Sequence, residues 1–194
     1  MSDIKSIIQE SISVKEKLLS DEQLLNTVES IADAIVTCLR NGGKVLFCGN
    51  GGSAADAQHL AAELSGRFYV DRDPLFAEAL HVNTSYLTAV ANDYSYDQIY
   101  SRAVKGKGRK GDILIGISTS GNSSNIIKAM DVARELNMIN VGLTGESGGK
   151  MKDLCDHLVN VPSSDTPRIQ ECHIVIGHII CQLVEENYFK LEKS

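Results

Sequence analysis

The chain has 194 residues, of which 43% are hydrophobic and 23% charged; this is enough for one well-buried domain and short for two. Its formal net charge of -6 argues against a nucleic-acid partner, because duplex binding depends on neutralising phosphates with clustered lysine and arginine. We therefore expect a single domain over residues 1–194.

The first 41 residues place apolar side chains at helical spacing and predict two helices that pack on the rest of the domain. The break between them falls near Ser20 and Asp21. The two glycines after Asn41 end the second helix, since glycine readily adopts the left-handed conformation common just past a helix.

From Lys44 onward a short apolar run, a turn and a helix alternate along the chain. This alternation predicts an α/β fold, a doubly wound parallel sheet with helices on both faces, in a flavodoxin-like three-layer sandwich. Ligands of such a sheet bind at the carboxyl ends of its strands. The predicted strands are residues 44–48, 79–82, 112–117, 139–144 and 156–161, each followed by a helix.

The last predicted helix begins near Asp165 and Thr166, either of which can cap it, and Pro167 suits its first turn. Apolar residues occur nearly all the way round this long helix. Such a helix in a small domain must be covered on several sides, which predicts contact with other copies of the chain.

The five cysteines are scattered and never spaced as CxxC, so the sequence indicates neither a disulfide framework nor a thiolate zinc site. The N-terminus interleaves charged and apolar residues, unlike a signal peptide. The longest apolar run, residues 174–184, is shorter than the roughly 18 to 20 residues that span a bilayer. A cytoplasmic protein without a membrane partner is expected.

A glycine-rich loop, residues 49–53, joins the first predicted strand to a helix; we call it the first cradle. Free backbone N–H groups and the helix dipole favour an anionic group at such a position. A tight turn without any ligand explains the pattern about equally well. The candidate binding residues are Asn50, Gly51, Gly52 and Ser53.

The same loop fits the dinucleotide-binding fingerprint through Gly49, Gly51 and Ala54. That fingerprint also needs an acidic residue closing a second strand about 20 residues further on. Asp71 and Asp73 are near that spacing but lie in a polar stretch followed by a proline. The sequence therefore disfavours a dinucleotide site.

A second candidate loop, residues 118–125, follows the most apolar predicted strand; we call it the second cradle. It offers five hydroxyl side chains, a glycine and two amides at a helix start, all suited to a phosphate. Serine-rich turns are also common without a ligand. Two such loops at one edge of a sheet favour an extended, polyhydroxylated phosphate ester.

His59 and Glu63 are four residues apart on one predicted helix, and Gln170 and His178 lie on the last helix. Ordinary structural roles also explain these residues: His59 and Glu63 could form a surface hydrogen bond, and His178 could be a core residue bonded to a carbonyl. Together they could bind zinc or a similar divalent ion. Gln170 and His178 are separated by a rise of roughly 12 Å on a regular helix, so one ion reaches both only if their side chains lean together. Otherwise one ligand comes from a neighbouring subunit.

Four long motifs in order resemble those of the bacterial phosphoheptose isomerase (sedoheptulose 7-phosphate isomerase) family, in the sugar isomerase (SIS) domain superfamily. They are CGNGGSAADAQHLAAELSGR, AVANDYSYDQIYSR, LIGISTSGNSSNIIKA and RIQECHIVIGHIICQLVE, and the resemblance covers almost the whole chain. It implies a homotetramer with active sites between subunits, in which the last helix belongs to the oligomer core.

The resemblance also implies a site residue by residue. It implies a divalent metal, usually zinc, at His59, Glu63, Gln170 and His178. It implies Glu63 and His178 as catalytic acid and base. The implied substrate contacts are Asn50, Gly51, Gly52, Ser53, Glu63, Asn92, Asp93, Ser118, Thr119, Ser120, Ser123 and Gln170.

The implied reaction converts sedoheptulose 7-phosphate to D-glycero-D-manno-heptose 7-phosphate, the first step of ADP- or GDP-heptose biosynthesis. Glu63 would remove the C1 proton to give an enediol, and His178 would handle the oxygen proton, while the metal polarises the carbonyl. A metal-bound carboxylate is a poorer base than a free one. Either Glu63 leaves the metal during turnover, or another group moves the proton.

Other functions are compatible with the same fold. The main alternative is a non-catalytic tetrameric module that associates with a DNA-replication initiator protein, which would not need the arrangement of His59, Glu63 and His178. A sugar-phosphate-sensing domain of a regulator and a dinucleotide-dependent oxidoreductase are further alternatives.

Overall fold

The structure, a computed structural model, describes residues 3–190 and begins with two helices. Helix α1 spans Ile4–Leu19 and helix α2 spans Glu22–Arg40, so the predicted break at Ser20 and Asp21 is confirmed. The side chain of Asp21 caps α2 by accepting a hydrogen bond from the Leu24 N–H. Over the described range, none of the helices has the length and apolar character needed to cross a membrane.

Five parallel strands form one sheet in the order β2-β1-β3-β4-β5. The predicted doubly wound parallel sheet is therefore confirmed. The strands are β1 (Val45–Gly49), β2 (Ala77–Ala79), β3 (Ile113–Ser118), β4 (Ile139–Thr144) and β5 (His157–Asn160). The helices after α2 are α3 (Gly52–Ser65), α4 (Thr84–Asp93), α5 (Ile99–Lys107), α6 (Ser124–Glu135) and α7 (Thr166–Phe189).

Two predicted elements were wrong. The second strand lies at Ala77–Ala79 and not at residues 79–82, because the chain turns just after it and the Val82 N–H bonds to the Ala79 carbonyl. The segment after β4 forms only a short 3-10 helix, Gly149–Asp153. Gly148 and Gly149 both have positive φ angles, which are incompatible with an α-helix. The segment between these glycines and β5 is then too short to form one.

Helices cover both faces of the sheet, so the strands are apolar on both sides. One face packs against side chains of α1, α2, α3 and α7, and the other against α4, α5, α6 and the short 3-10 helix. Helices α3 and α6 follow neighbouring strands but lie on opposite faces. The carboxyl ends of β1 and β3 therefore open a crevice at the point where the strand order reverses.

A buried ion pair joins the segment after α3 to α7. Arg72 Nε donates to Glu185 Oε1 at 2.9 Å, and the backbone N–H groups of residues 68–70 donate to the same carboxylate. Other guanidinium N–H groups of Arg72 donate to the carbonyls of Glu63 and Leu64. Burial alone would raise the pKa of Glu185, but these hydrogen bonds hold that pKa below its ordinary value.

We predict that Arg72→Met destabilises the fold by about 3 to 5 kcal/mol, because it leaves the buried Glu185 carboxylate without its cation. Urea unfolding measures this change. Lys128→Met is the matched control, since Lys128 pairs with Asp97 where both side chains are about half exposed. Its effect should stay below about 1 kcal/mol. Equal effects of the two variants would contradict the prediction.

His173 on α7 is fully buried, and its Nε2 lies 3.1 Å from the Thr144 carbonyl. Burial lowers its pKa to about 4, although the hydrogen bond to Thr144 acts in the opposite direction. The folded protein therefore binds the proton on this ring more weakly than the unfolded chain does. The stability that this difference contributes is complete above the ordinary pKa of 6.5 and falls as pH decreases from there to about 4.

We accordingly predict that His173→Gln flattens the pH dependence of the unfolding free energy between about pH 4 and 6.5. Urea unfolding of both proteins at a series of pH values measures the difference between them. His157→Gln, at the start of β5, provides the control, and it should keep the wild-type slope. A wild-type slope in the His173 variant would disprove the assignment.

Candidate active site

The first cradle begins where β1 ends and α3 starts. Gly51 has a φ of +57° and precedes the helix without a side-chain cap, so the N–H groups of Gly51 and Gly52 are available to a ligand. A Cβ on Gly49 would overlap the backbone of Ser53. Glycine is therefore required for this turn, and the predicted binding positions Asn50, Gly51 and Gly52 line it.

The second cradle follows β3, next to the first. The Ser118 and Ser123 hydroxyls are 2.9 Å apart, and Ser118 is almost fully buried, so its hydroxyl is held inside the loop. Ser123 caps α6 by position, yet its side chain makes no capping hydrogen bond. Thr119 and Ser120 line a cavity of about 360 Å³, together with residues 145–147, Ser163, Ser164 and Thr166.

The remaining predicted substrate contacts, Asn92 and Asp93, end helix α4 and are exposed. Asn92 Nδ2 donates to Asp93 Oδ1 at 3.0 Å. The chain then runs to Tyr96, whose hydroxyl donates to Asn50 Oδ1 at 3.0 Å. That contact brings this segment to the edge of the first cradle.

Helices α3 and α7 lie side by side and run in the same direction. A Cβ on Gly177 would lie only 2.5 Å from Leu60 Cδ1, so the two helices are in close contact here. His178 therefore meets the face of α3 that carries His59 and Glu63. This packing, rather than any local motif, assembles the three side chains.

His59, Glu63 and His178 each present a ligand atom within 4.8 Å of the other two. His59 Nε2 lies 3.0 Å from Glu63 Oε1 and 3.3 Å from His178 Nε2. Zinc bound tetrahedrally at about 2.0 to 2.1 Å requires ligand atoms about 3.3 Å apart. Imidazole nitrogens and a carboxylate at these spacings can therefore hold a divalent cation such as zinc.

Gln170 is not with these three residues in the protomer. A Cβ on Gly52 would lie 2.5 Å from Gln170 Nε2, so the amide rests against the first cradle. Gly52 precedes His59 by seven residues of α3, a rise of about 10 Å. Within one chain Gln170 therefore reaches the cradle, and the residues that could hold a metal ion together are His59, Glu63 and His178, called the triad below.

Several residues near the site were missed by the sequence analysis. Asp56 lies one turn before His59 on α3, and its Oδ2 is buried without a hydrogen-bond partner among the described residues. Burial raises the pKa of Asp56, while His59 and His178 act to lower it. The signal was present in the sequence, because Asp56, His59 and Glu63 share one helix face. Phe68 was also missed; its ring centroid lies 5.8 Å from that of His178.

The described part of the chain also lacks the acidic residue that the dinucleotide-binding fingerprint requires at the end of the second strand. Strand β2 ends at Ala79 and is followed by Leu80 and His81, so no carboxylate stands at its carboxyl end. Asp71 and Asp73 precede the strand instead of closing it.

Comparison with known proteins places the chain among enzymes. Residues 9–145 match the SIS domain family. The chain is 58% identical over 187 residues to a phosphoheptose isomerase from Aneurinibacillus thermoaerophilus, covering 96% of this chain and 94% of that protein. It is 51% identical to phosphoheptose isomerase 2 from Campylobacter jejuni, covering 96% of this chain and 92% of that protein.

A phosphoheptose isomerase structure from Francisella tularensis superposes with a TM-score of 0.91 at 39% identity, covering 94% of this chain and 96% of that one. The corresponding structure from Neisseria gonorrhoeae gives a TM-score of 0.88 at 44% identity, covering 94% and 97%. The family predicted from the four sequence motifs is confirmed. The chain belongs to the phosphoheptose isomerase family of SIS-domain proteins and is an isomerase.

Proposed function

We propose that the protein isomerises sedoheptulose 7-phosphate to D-glycero-D-manno-heptose 7-phosphate, the first step of bacterial ADP- or GDP-heptose biosynthesis. The observation that carries the proposal is that His178 of α7 meets His59 and Glu63 on α3, the helix that starts at the first cradle. The names of the relatives, phosphoheptose isomerases, support the same substrate class.

The substrate would span both cradles. The hydroxyl groups and free helix start of the second cradle suit the phosphate, through Ser118, Thr119, Ser120 and Ser123. The sugar hydroxyls would then extend along the first cradle toward the triad. The residues proposed to bind them are Asn50, Gly51, Gly52, Ser53, Asn92, Asp93 and Gln170.

In the proposed reaction Glu63 removes the C1 proton, an enediol forms, and a proton returns at C2. His178 moves the proton on the substrate oxygen. A divalent cation, proposed as Zn²⁺, would be held by His59, Glu63, His178 and Gln170 of a neighbouring subunit, and would supply Lewis-acid polarisation of the carbonyl. Glu63 has one oxygen, Oε1, facing His59, while Oε2 makes no hydrogen bond among the described residues. That second oxygen is the group proposed to take the carbon-bound proton.

We predict that the purified protein converts sedoheptulose 7-phosphate to the aldose phosphate, and that a chelator abolishes turnover. Glu63→Gln and His178→Gln should each lower kcat by about 10² to 10⁴-fold, since each removes a proton-transfer group. Product analysis and metal content per subunit are the two measurements. His157→Gln, at the start of the edge strand β5 and away from the site, should retain both activity and metal.

Two results would each contradict part of the proposal, either the isomerase function itself or the roles given to Glu63 and His178. One is an absence of turnover in the metal-loaded wild-type protein, which would favour the non-catalytic module that associates with a replication initiator. The other is near-normal kcat in both folded variants, which would leave the isomerase activity but disprove the assigned acid and base.

We further propose a homotetramer in which active sites form between subunits. Helix α1 exposes a row of isoleucines, and α7 exposes Val175 and Ile179 beside a cavity of about 410 Å³ between α1, α2 and α7. Contiguous apolar surface of this kind favours association. We propose that a second copy of the chain covers this apolar surface. Gln170 lies two turns from the triad of its own chain, so a neighbouring copy could supply the Gln170 ligand. The exposed isoleucines are Ile4, Ile7, Ile8 and Ile12.

Ile179→Glu should therefore break the assembly and lower activity and metal content together, because a charge in an apolar interface is strongly unfavourable. Light scattering after size exclusion measures the oligomer. Val82→Glu, at another exposed apolar position, is the control. A monomeric wild-type protein with full metal content would contradict both the tetramer and the shared ligand set.

We also propose that the whole chain forms one domain located in the cytoplasm. The buried core around the sheet includes residues from Val14 to Val184. All five cysteines are free, as a reducing compartment would keep them.

A further inference from the structure

Two asparagine side chains join the cradles. Asn50 Nδ2 donates to Asn125 Oδ1 at 2.9 Å, and Asn125 Nδ2 donates to Asn50 Oδ1 at 2.9 Å. Asn50 follows β1 in the first cradle, whereas Asn125 lies in the first turn of α6, at the end of the second. Asn125 is only 2% exposed and Asn50 is half-buried, so this amide pair is a partly buried bridge across the crevice between β1 and β3.

Tyr96 completes the bridge from a third element. Its hydroxyl donates to Asn50 Oδ1 at 3.0 Å, on the side facing solvent. A carboxamide oxygen has two lone pairs, and both of those on Asn50 are now occupied. The Asn50 amide nitrogen carries two hydrogens, of which Asn125 takes one. One N–H of Asn50 is therefore left for a ligand, and its direction is fixed by the other three hydrogen bonds.

The next tyrosine along the chain strengthens this attachment. The Tyr100 hydroxyl donates to the carbonyl of Gly49, and Tyr100 is almost fully buried. The segment that begins with the 3-10 helix Tyr96–Gln98 and continues into α5 thus holds the first cradle at two consecutive residues, Gly49 and Asn50. Tyr94, two residues before this segment, makes no hydrogen bond through its hydroxyl among the described residues, although its ring packs against Arg102.

We infer that Asn125 and Tyr96 are positioning residues, which orient the free N–H of Asn50 and fix the spacing of the two cradles for a ligand that spans both. The inference rests on the proposed function for the identity of that ligand. Within the described range, neither Asn125 nor Tyr96 contacts Glu63 or His178. We therefore expect them to affect substrate binding and not the rate of proton transfer. A sugar phosphate binds more tightly to the two cradles together than to one alone only if both ends of the molecule reach their hydrogen-bond donors at the same time.

The test uses Tyr96→Phe and Asn125→Leu in the full chain, with Tyr94→Phe as the matched control. Tyr96→Phe removes one hydroxyl at a half-exposed position, so the fold should be retained even if Asn125→Leu proves unstable. We expect KM for sedoheptulose 7-phosphate to rise about 3- to 5-fold in Tyr96→Phe and about 10-fold in Asn125→Leu, with kcat nearly unchanged. Tyr94→Phe should match the wild-type protein.

Inhibition by inorganic phosphate separates positioning from a general loss of binding. Tyr96→Phe should leave the phosphate inhibition constant unchanged, because the second cradle is intact. The two substitutions should also be less than additive in log KM when combined, since both act through Asn50. A fall in kcat with unchanged KM, or full additivity, would overturn the inference.

Crystal structures of the ligand-free variants provide a readout that does not depend on turnover. In Asn125→Leu the Asn50 side chain should leave its present orientation. If that orientation is retained, the inference fails even if the protein is an active isomerase. If instead the wild-type protein has no activity but Asn50 turns away in the variant, the proposed function fails and the positioning role of Asn125 stands.

Discussion

The close approach of α3 and α7 at Gly177 is the constraint on which the candidate site depends. Leu60 occupies the space that a side chain at position 177 would need, so α7 lies directly against α3. That contact brings His178 to His59 and Glu63, and eight residues earlier it brings Gln170 to Gly52. A single pair of helices therefore links the triad of His59, Glu63 and His178 to the first cradle.

The order of the strands supplies the other half of the arrangement. Strands β1 and β3 are neighbours, and the helices that follow them lie on opposite faces of the sheet. Helices α3 and α6 therefore begin side by side at the carboxyl ends of these two strands. His59 lies about two turns into α3, and His178 meets it from α7. A ligand held by both helix starts would thus extend from a neutral hydroxyl-rich loop toward two imidazoles and a carboxylate.

Features set by local sequence were predictable. The alternating apolar runs determined the sheet, and the four-residue spacing of His59 and Glu63 placed them on one helix face. The glycines of the first cradle identified a turn that other residues could not form. The second strand was misplaced because a three-residue edge strand has almost no sequence pattern of its own.

Features set by tertiary packing could not be predicted from the sequence. The bridge between Asn50 and Asn125 joins residues 75 positions apart, and polar residues at helix starts have many possible partners. Asp56 shares the helix face of His59, but only the fold reveals that one of its oxygens is buried without a partner. The position of Gln170 depends on the register between two helices, which an eight-residue spacing on one of them does not define.

Exposure of the triad has a consequence for the chemistry. In the protomer the side chain of His59 is 47% exposed and that of Glu63 25% exposed. Proton transfer at carbon benefits from a site that excludes water, where fixed dipoles and charges act more strongly than in solvent. Helix α7, which carries His178, also exposes Val175 one turn before it and Ile179 next to it. Another subunit covering this apolar part of α7 would lie close to the triad, so that assembly and the environment of the triad would depend on one helix.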